Sequence, residues 1–304
     1  MAQLTGRRFP GIHAVLYALF DPDECLDRAA MRRQVELVLA AGVDGIVVLG
    51  LATESAKLTV REQRDLVAWT IEDVAGRAPV AATIPGGSIA VQLELLHEVQ
   101  AAGVDWVILQ PPAAGSYGAA ELARGFRRLA SAASVPVAVQ SAPGLMGNGL
   151  DAGGIAALAA DCPNLSHVKA ELPVVALAEL VGACGSRLIV LGGQGGLEMT
   201  DALRAGCDGF VLAPDIVDHA VRIWRRWQNG DEAGAEVAYR AIVPEIVFAM
   251  RSLEHLITYG KRIFAHRAGL PARDRAPVVM PTAFGLACVA RHAASLGPFG
   301  HAPC

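Results

Sequence analysis

Three stretches of this chain repeat one short grammar, and that repetition limits its fold more than any other feature. Ala40-Ala41-Gly42-Val43-Asp44-Gly45-Ile46-Val47-Val48-Leu49-Gly50 is echoed by Ala101-Ala102-Gly103-Val104-Asp105-Trp106-Val107-Ile108-Leu109-Gln110. It returns as Arg204-Ala205-Gly206-Cys207-Asp208-Gly209-Phe210-Val211-Leu212-Ala213. In each copy a helical pattern ends at a glycine able to take the left-handed C′ conformation. A short turn follows, then four or five aliphatic or β-branched residues, as in a parallel strand buried on both faces. Apolar runs at 13–19, 79–84, 135–140, 166–170 and 187–191 bring the candidate strands to eight. Segments of helical period separate nearly all of them, at 28–41, 60–74, 90–102, 119–133, 153–161, 174–183 and 197–205.

Strands alternating with helices imply right-handed βαβ units and a parallel sheet. Eight such units within about 215 residues fit an α/β fold of the closed (β/α)8 TIM-barrel type. A doubly wound sheet is the alternative, and it is weakened because no strand leads into a GxGxxG turn. Past residue 217 only helical patterns remain, at 217–228, 231–251, 253–266 and 283–295. The expected organisation is a barrel over 1–215 and a C-terminal helical extension over 216–304, packed on the barrel or on a neighbouring subunit.

Composition narrows the function. The chain has 26 basic and 30 acidic residues, a net charge of −4, which leaves no electrostatic footprint for nucleic acid or an anionic membrane. Hydrophobic residues make up 53% and charged residues 18%, which excludes disorder and predicts a large core. No apolar run reaches the roughly 18 residues of a membrane span. The first ten residues carry Arg7 and Arg8 but no apolar segment, so they do not read as a secretory signal. Cys25, Cys162, Cys184, Cys207, Cys288 and Cys304 lie far apart, as reduced thiols of a cytoplasmic protein do.

In such a barrel the chemistry sits at the C-terminal ends of the strands. Polar residues expected there include Thr53, Glu54 and Ser55 after strand 2, Gln110 after strand 4, Gln140 and Ser141 after strand 5, and 192–196 after strand 7. Lysine is the informative type, because the chain holds only Lys57, Lys169 and Lys261. Lys57 lies in a loop entering a helix, and Lys261, beside Arg262, reads as solvated surface. Lys169 sits within an apolar strand, where an ammonium is costly unless paired or deprotonated. A neutral amine there is a nucleophile for a carbonyl carbon. The structural alternative is a buried ion pair with Glu171. His167, Lys169 and Glu171 at i, i+2 and i+4 share one face of a regular strand. Glu171 then lies at the mouth beside Lys169 as an acid or base, or else leaves the strand to cap the next helix. His167 reads as a core histidine. The glycine-rich 192–196 is a pocket wall with Gln194 as donor, and a weaker phosphate loop for want of a nearby cation. No metal-ligand spacing, GxSxG or Walker pattern is present, so no cofactor or metal is expected.

These features resemble the dihydrodipicolinate synthase / N-acetylneuraminate lyase family of class I aldolases and dehydratases. The marks, spread over about residues 9 to 270, are Gly50-Leu51-Ala52-Thr53-Glu54-Ser55-Ala56-Lys57-Leu58-Thr59 with Glu62, then Gln140-Ser141-Ala142-Pro143, then His167-Val168-Lys169-Ala170-Glu171. The resemblance implies a homo-oligomer, dimer or tetramer, and a Schiff base between Lys169 and the ketone of pyruvate or another 2-oxo acid. It places Leu51, Ala52 and Thr53, with Ser141, Gly193 and Gln194, around the substrate.

The departures from the family pattern are informative. The small hydroxyl or glycine residues that hold the substrate carboxylate align with Leu51 and Ala52. The two relay tyrosines align with Gln140 and Ala113, and the arginine for a second substrate's carboxylate aligns with Leu145. The lysine-biosynthesis reaction is therefore disfavoured. A branch that dehydrates 2-keto-3-deoxy sugar acids is similar in its Gln-x-Ala-Pro and Lys-x-Glu stretches, which implies catalytic roles for Lys169, Glu171 and Gln140. The sequence thus predicts a Schiff-base lyase on a 2-oxo acid, a dehydratase of a 2-keto-3-deoxy sugar acid or an aldolase releasing pyruvate. The alternative is a barrel that binds a 2-oxo acid without turning it over, and a phosphate-binding barrel ranks last. Leu51 and Ala113 suggest a mouth more apolar than is usual in the family.

Overall fold

The computed structural model describes residues 9–113 and 115–300. Eight parallel strands close into a barrel in sequence order: β1 (Gly11–Val15), β2 (Gly45–Val48), β3 (Val80–Ile84), β4 (Trp106–Leu109), β5 (Val137–Ser141), β6 (Leu165–Ala170), β7 (Ile189–Gly192) and β8 (Gly209–Leu212), with β8 pairing β1. Around them run α1 (Arg28–Ala41), α2 (Val60–Val74), α3 (Ile89–Ala102), α4 (Ala119–Ala132), the short α5 (Pro143–Met146), α6 (Ala152–Asp161), α7 (Val174–Cys184), α8 (Met199–Arg204) and α9 (Val217–Gln228). The helix α9 packs beside α1 and against β1, the place of an eighth outer helix. Beyond it come α10 (Glu232–Ala249), α11 (Leu253–His255), a π-helical turn (Leu256–Gly260), α12 (Lys261–Ala268) and α13 (Ala283–Leu296). Among the described residues no helix is long and apolar enough to cross a membrane. Cys25, Cys162, Cys184, Cys207 and Cys288 are free thiols, and Cys304 lies outside the described residues.

The repeated grammar has a structural cause. Gly42, Gly103 and Gly206 sit at φ of 84°, 100° and 94°, a region that favours glycine, and turn the chain sharply from helix to strand. The aspartate two residues on then clamps the strand that comes before. The backbone N–H of Asp44 donates to the Ile12 carbonyl at 2.7 Å, and its carboxylate accepts the Ile12 N–H at 2.8 Å. Asp105 does the same to Val80, at 2.8 and 2.9 Å, and Asp208 to Val190, both at 2.8 Å. Each clamp satisfies an otherwise orphaned strand-end donor and fixes the start of one strand against its neighbour. The echo is therefore a closure device at the N-terminal rim.

The first strand is shorter than the run 13–19 suggests. Pairing with β2 and β8 covers no residue beyond Val15, and Tyr17 N–H donates instead to Gln34 Oε1 at 3.0 Å. Residues 16–20 stay apolar because they are buried on their way over the barrel top, not because they are strand. At the opposite end Phe9 stacks on Trp106 and His167. His167 Nε2 accepts the Phe9 N–H at 3.0 Å while its Nδ1 pairs with Ser166 Oγ at 2.6 Å, so His167 is a hydrogen-bonded core histidine at the barrel floor.

The C-terminal helices dock through buried charge, and here one expectation is corrected. Lys261 is not solvated surface: it is fully buried, with Nζ 2.6 Å from Glu54 Oε1. Glu54, from the turn after β2, also holds Lys57 at 2.7 Å. The partner lies 207 residues away, so no local pattern marks Lys261 as buried. A second tie joins Arg267 to Asp218 at 2.7 Å, and near it, on the barrel itself, the Tyr17 hydroxyl donates to Asp215 at 2.9 Å. Burial pushes the Asp215 carboxyl up to about 6 and holds the neighbouring His219 down to about 4.

These two groups oppose each other in acid. Asp215 binds its proton more tightly folded than unfolded, so its stabilisation is full below about pH 4 and is lost as pH rises through 6. His219 behaves in the reverse sense, losing stabilisation as pH falls from 6.5 towards 4. The Asp215→Asn variant should be more stable than wild type above pH 7, by about 3 kcal/mol. That advantage should vanish near pH 4, as read from urea unfolding midpoints across this range. A constant offset between the two proteins at all pH values would contradict the assignment.

Candidate active site

The register of β6 sets up the site. Between β5 and β6 the pairing shifts, with Val137 opposite Leu165 but Ala138 opposite His167. Ser166 is left without an opposite number, as in a bulge. Beyond the shift Lys169 stands level with Gln140 on one side and Leu191 on the other. Lys169 is 4% exposed, and its Nζ lies 2.8 Å from Glu171 Oε1. The same oxygen accepts Gln140 Nε2 at 2.8 Å. Gln140 Oε1 accepts Gln110 Nε2 at 2.9 Å, and the Gln110 carbonyl accepts Gln92 Nε2 at 3.0 Å. The side-chain amides of Gln110 and Gln140 thus donate in turn towards the Lys169–Glu171 pair, while Gln92 on α3 holds the Gln110 main chain.

Glu171 is fixed by its backbone and by its neighbours. Its N–H donates to the Ser141 carbonyl at 2.8 Å, and its own carbonyl accepts Gln194 Nε2 at 3.1 Å. A Cβ on Gly193 would lie 2.5 Å from Glu171 Cγ, so only glycine there lets the side chain stand where it does. Glu171 does not cap the next helix. The first N–H of α7, at Val174, is taken by Glu198 Oε2 at 2.9 Å. An ion pair this deep costs several kcal/mol of desolvation per charge, recovered only by good geometry and further hydrogen bonds, and Gln140 supplies one.

Above the lysine lies a narrow cavity of about 40 Å³. Leu51 and Ala52 form one wall, Gln194 another, and Leu145, Met250, Leu253 and Leu256 close the mouth. Among the described residues, Lys169 and Glu171 are the only titratable side chains on its lining. Thr53 is buried, and its hydroxyl donates to the Leu16 carbonyl at 2.7 Å and not into the cavity. The Ser141 hydroxyl donates weakly to the Leu150 carbonyl at 3.4 Å, so what Ser141 offers the site is its backbone. Gly193 stands behind Glu171. Ala113 is not at this mouth but on the wall of a separate, larger cavity. Among the described residues no three His, Cys, Asp or Glu side chains are grouped to hold a metal.

Gln110 was expected at this end as a polar strand end, and its link to Gln140 comes from the geometry. Three participants were not expected from the sequence. Met250, Leu253 and Leu256 come from the C-terminal segment, and no pattern in that segment points to the barrel mouth.

Comparison with known proteins places this geometry in context. A family model described as the dihydrodipicolinate synthetase family matches residues 8–282. The L-2-keto-3-deoxyarabonate dehydratase of Azospirillum brasilense is 29% identical over 252 residues, covering 81% of each chain. The 4-hydroxy-tetrahydrodipicolinate synthase of Chlorobium phaeobacteroides is 29% identical over 242 residues, covering 79% of this chain and 81% of its own. Among solved structures, a dihydrodipicolinic acid synthase family protein of Escherichia coli K12 in complex with pyruvate superposes with a TM-score of 0.88 at 22% identity, covering 95% of this chain and 99% of its own.

The buried pair makes a prediction independent of any activity. Glu171→Leu leaves Lys169 facing an apolar wall and should destabilise the protein by about 3–5 kcal/mol. The double variant Lys169→Met/Glu171→Leu should recover most of that loss, since no unpaired charge remains. Urea unfolding of the single and double variants reads both. Additive losses would show that the pair is not electrostatically coupled.

Proposed function

This chain belongs to the dihydrodipicolinate synthetase family of lyases, and from that premise we propose that it acts on a 2-oxo acid through a Schiff base on Lys169, with dehydration of a 2-keto-3-deoxy sugar acid preferred and pyruvate-releasing aldol cleavage next. The observation that carries the reading is the isolation of one amine and one carboxylate, 2.8 Å apart, as the only titratable side chains among the described residues that line the cavity.

The chemistry follows from that pair. The Lys169 amine attacks the C2 ketone and water leaves, giving an iminium that acidifies the C3 protons. Glu171, released from its lysine partner, takes a C3 proton and leaves an enamine. The enamine expels the C4 hydroxyl, which departs as water with the proton Glu171 has gained. Hydrolysis of the conjugated iminium consumes one water and frees the lysine, so the substrate loses one water overall. In aldol cleavage the C4 hydroxyl proton of the iminium adduct is removed instead, the C3–C4 bond breaks and C4 leaves as an aldehyde, the enamine takes a proton at C3, and hydrolysis of the resulting iminium with one water frees pyruvate and the lysine.

Gln140 has a different part from the tyrosine it replaces. An amide does not exchange a proton as a phenol does, so Gln140 orients Glu171 and Glu171 alone moves protons. The substrate carboxylate falls to the turn after β2. Within the described residues no protein acceptor takes the backbone N–H of Leu51 or Ala52, and the two line the cavity. Oxyanions are well served by such backbone donors. Thr53 holds that turn from behind, while Ser141, Gly193 and Gln194 hold Glu171 by its backbone and flank. The glycine-rich turn presses on a carboxylate, and the only cation on the cavity wall is already paired, which counts against a phosphate site. The exposed Val279, Met280 and Phe284 around the start of α13 support a homo-oligomer, dimer or tetramer.

The relative named as a dehydratase and the neighbour solved with pyruvate support the substrate class. The test is turnover of a panel of 3-deoxy-2-oxo sugar acids, with products identified by mass. Loss of one water marks dehydration, and release of pyruvate marks cleavage. Lys169→Ala should abolish either, and Glu171→Gln should lower kcat by about 10²–10⁴-fold. Gln140→Leu should lower kcat less, with KM little changed. Wild-type turnover by Lys169→Ala would overturn the Schiff base. Binding of these acids without turnover by the wild-type protein would favour a non-catalytic barrel.

A further inference from the structure

The cavity above Lys169 is too small for a whole substrate. A cavity needs roughly 10–15 Å³ for each water-sized group, so its volume of about 40 Å³ seats about three, the reacting end of a 2-oxo acid and no more. Whatever the substrate carries beyond C4 must pass the mouth, where the side chains of Leu51, Leu145, Met250, Leu253 and Leu256 offer it no donor or acceptor. Among the described residues, Gln194 is the one other polar side chain on that lining, and its Nε2 is committed to the Glu171 carbonyl at 3.1 Å.

Beyond Leu51 and Leu253 lies a second cavity, of about 370 Å³. Those two residues line both cavities, and each is partly exposed. The second cavity sits between the turn after β2, the chain running from α11 into the π-helical turn, and residues 277–279. Its size is that of a small-molecule cleft. Its wall is aliphatic, from Leu51, Leu253, Ile257, Pro277 and Val278. Most polar groups on it are already engaged. Glu54 is held by Lys57 at 2.7 Å and by Lys261 at 2.6 Å, and the Thr258 hydroxyl donates to the Val279 carbonyl at 3.1 Å. Among the described residues, Ser55 and the exposed Glu254 are the other polar side chains on this lining. A tail with a hydroxyl on each carbon would leave water here without finding partners for them, whereas an apolar tail gains by leaving water.

We propose that the substrate the chain handles best is a 4-hydroxy-2-oxo acid whose C4 carries an aliphatic or alicyclic group, with the 2-oxo acid end at Lys169 and the apolar group passing Leu51 and Leu253 into the second cavity. The inference rests on the Schiff base at Lys169 and concerns only the atoms beyond C4. A 3-deoxy-2-oxo sugar acid presents the same first four carbons and turns over, but less efficiently. With an alkyl tail, dehydration gives the 3,4-unsaturated 2-oxo acid and one water, and cleavage gives pyruvate and an aliphatic aldehyde.

Two acids of equal length and the same C4 configuration make the test: 4-hydroxy-2-oxohexanoate and 4,5,6-trihydroxy-2-oxohexanoate, which differ by the two tail hydroxyls. The wild-type chain should convert the first with a kcat/KM higher by about tenfold or more. Ala56 is exposed and lines the second cavity but not the first. Ala56→Trp fills the second cavity and should lower kcat/KM for 4-cyclohexyl-4-hydroxy-2-oxobutanoate by about tenfold or more. Borohydride trapping of pyruvate on Lys169 should stay at the wild-type level in that variant, and a cooperative thermal transition shows that it is folded. An equal or higher kcat/KM for the trihydroxy acid, no turnover of either hexanoate, or undiminished turnover of the cyclohexyl acid by Ala56→Trp would overturn the proposal while pyruvate trapping on Lys169 stands. Absence of the pyruvate adduct from the wild-type protein would remove the Schiff base and this inference with it.

Discussion

The 2.8 Å contact between Lys169 Nζ and Glu171 Oε1 is the constraint to which the rest of the barrel answers. Removing both charges from water costs several kcal/mol each, and a barrel interior has no solvent with which to recover it. The fold recovers it with fixed geometry. A register shift sets Lys169 level with Gln140, the Ser141 carbonyl holds the Glu171 backbone, and Gly193 gives up its side chain so that Glu171 can stand beside the lysine. The side-chain amides of Gln110 and Gln140 donate in turn towards the carboxylate, and Gln92 holds the Gln110 main chain in place. A pair held this way is poised in a specific sense. In the proposed reaction the iminium nitrogen keeps a single N–H where the amine had three, which loosens the hold on Glu171 and leaves its carboxylate to take the C3 proton.

The two rims of the barrel divide the work of stability and chemistry. At the N-terminal rim the aspartates of the three echoes clamp successive strands, and Phe9, Trp106 and His167 stack to form a floor. Nothing there points to chemistry, as is usual for barrels. At the C-terminal rim the turn after β2 serves twice. Its Leu51–Ala52 face lines the cavity, while Glu54 reaches the other way to Lys57 and the buried Lys261. That tie brings the C-terminal helices over the mouth, where Met250, Leu253 and Leu256 narrow it to a small apolar opening. The extension is thus anchored by charge and presents apolar side chains to the site.

Much of this was legible in the sequence, for identifiable reasons. The eight strands could be read because a left-handed glycine followed by an aliphatic run is a strong local signal repeated three times. Lys169 stood out because a lysine in an apolar strand needs an explanation, and the i, i+2, i+4 spacing put Glu171 in reach. What was hidden depended on distance in sequence. Lys261 looked solvated because its partner Glu54 is in another part of the chain. Residues 16–19 read as strand because buried loop and buried strand have the same composition. The Thr53 hydroxyl looked available to substrate, but its direction is set by the Leu16 carbonyl across the barrel top. Ala113 looked like a mouth residue because alignment gives position along the chain and not which of two cavities a loop lines.

The central claim is that Lys169 is a nucleophile and not merely one half of a structural ion pair. Reduction with borohydride in the presence of pyruvate tests it most directly, because the reagent fixes an iminium as a stable secondary amine. Peptide mapping should then find the added mass on the peptide containing Lys169, and on neither Lys57 nor Lys261. No adduct with pyruvate or any other 2-oxo acid, or adducts spread equally over the three lysines, would contradict the account.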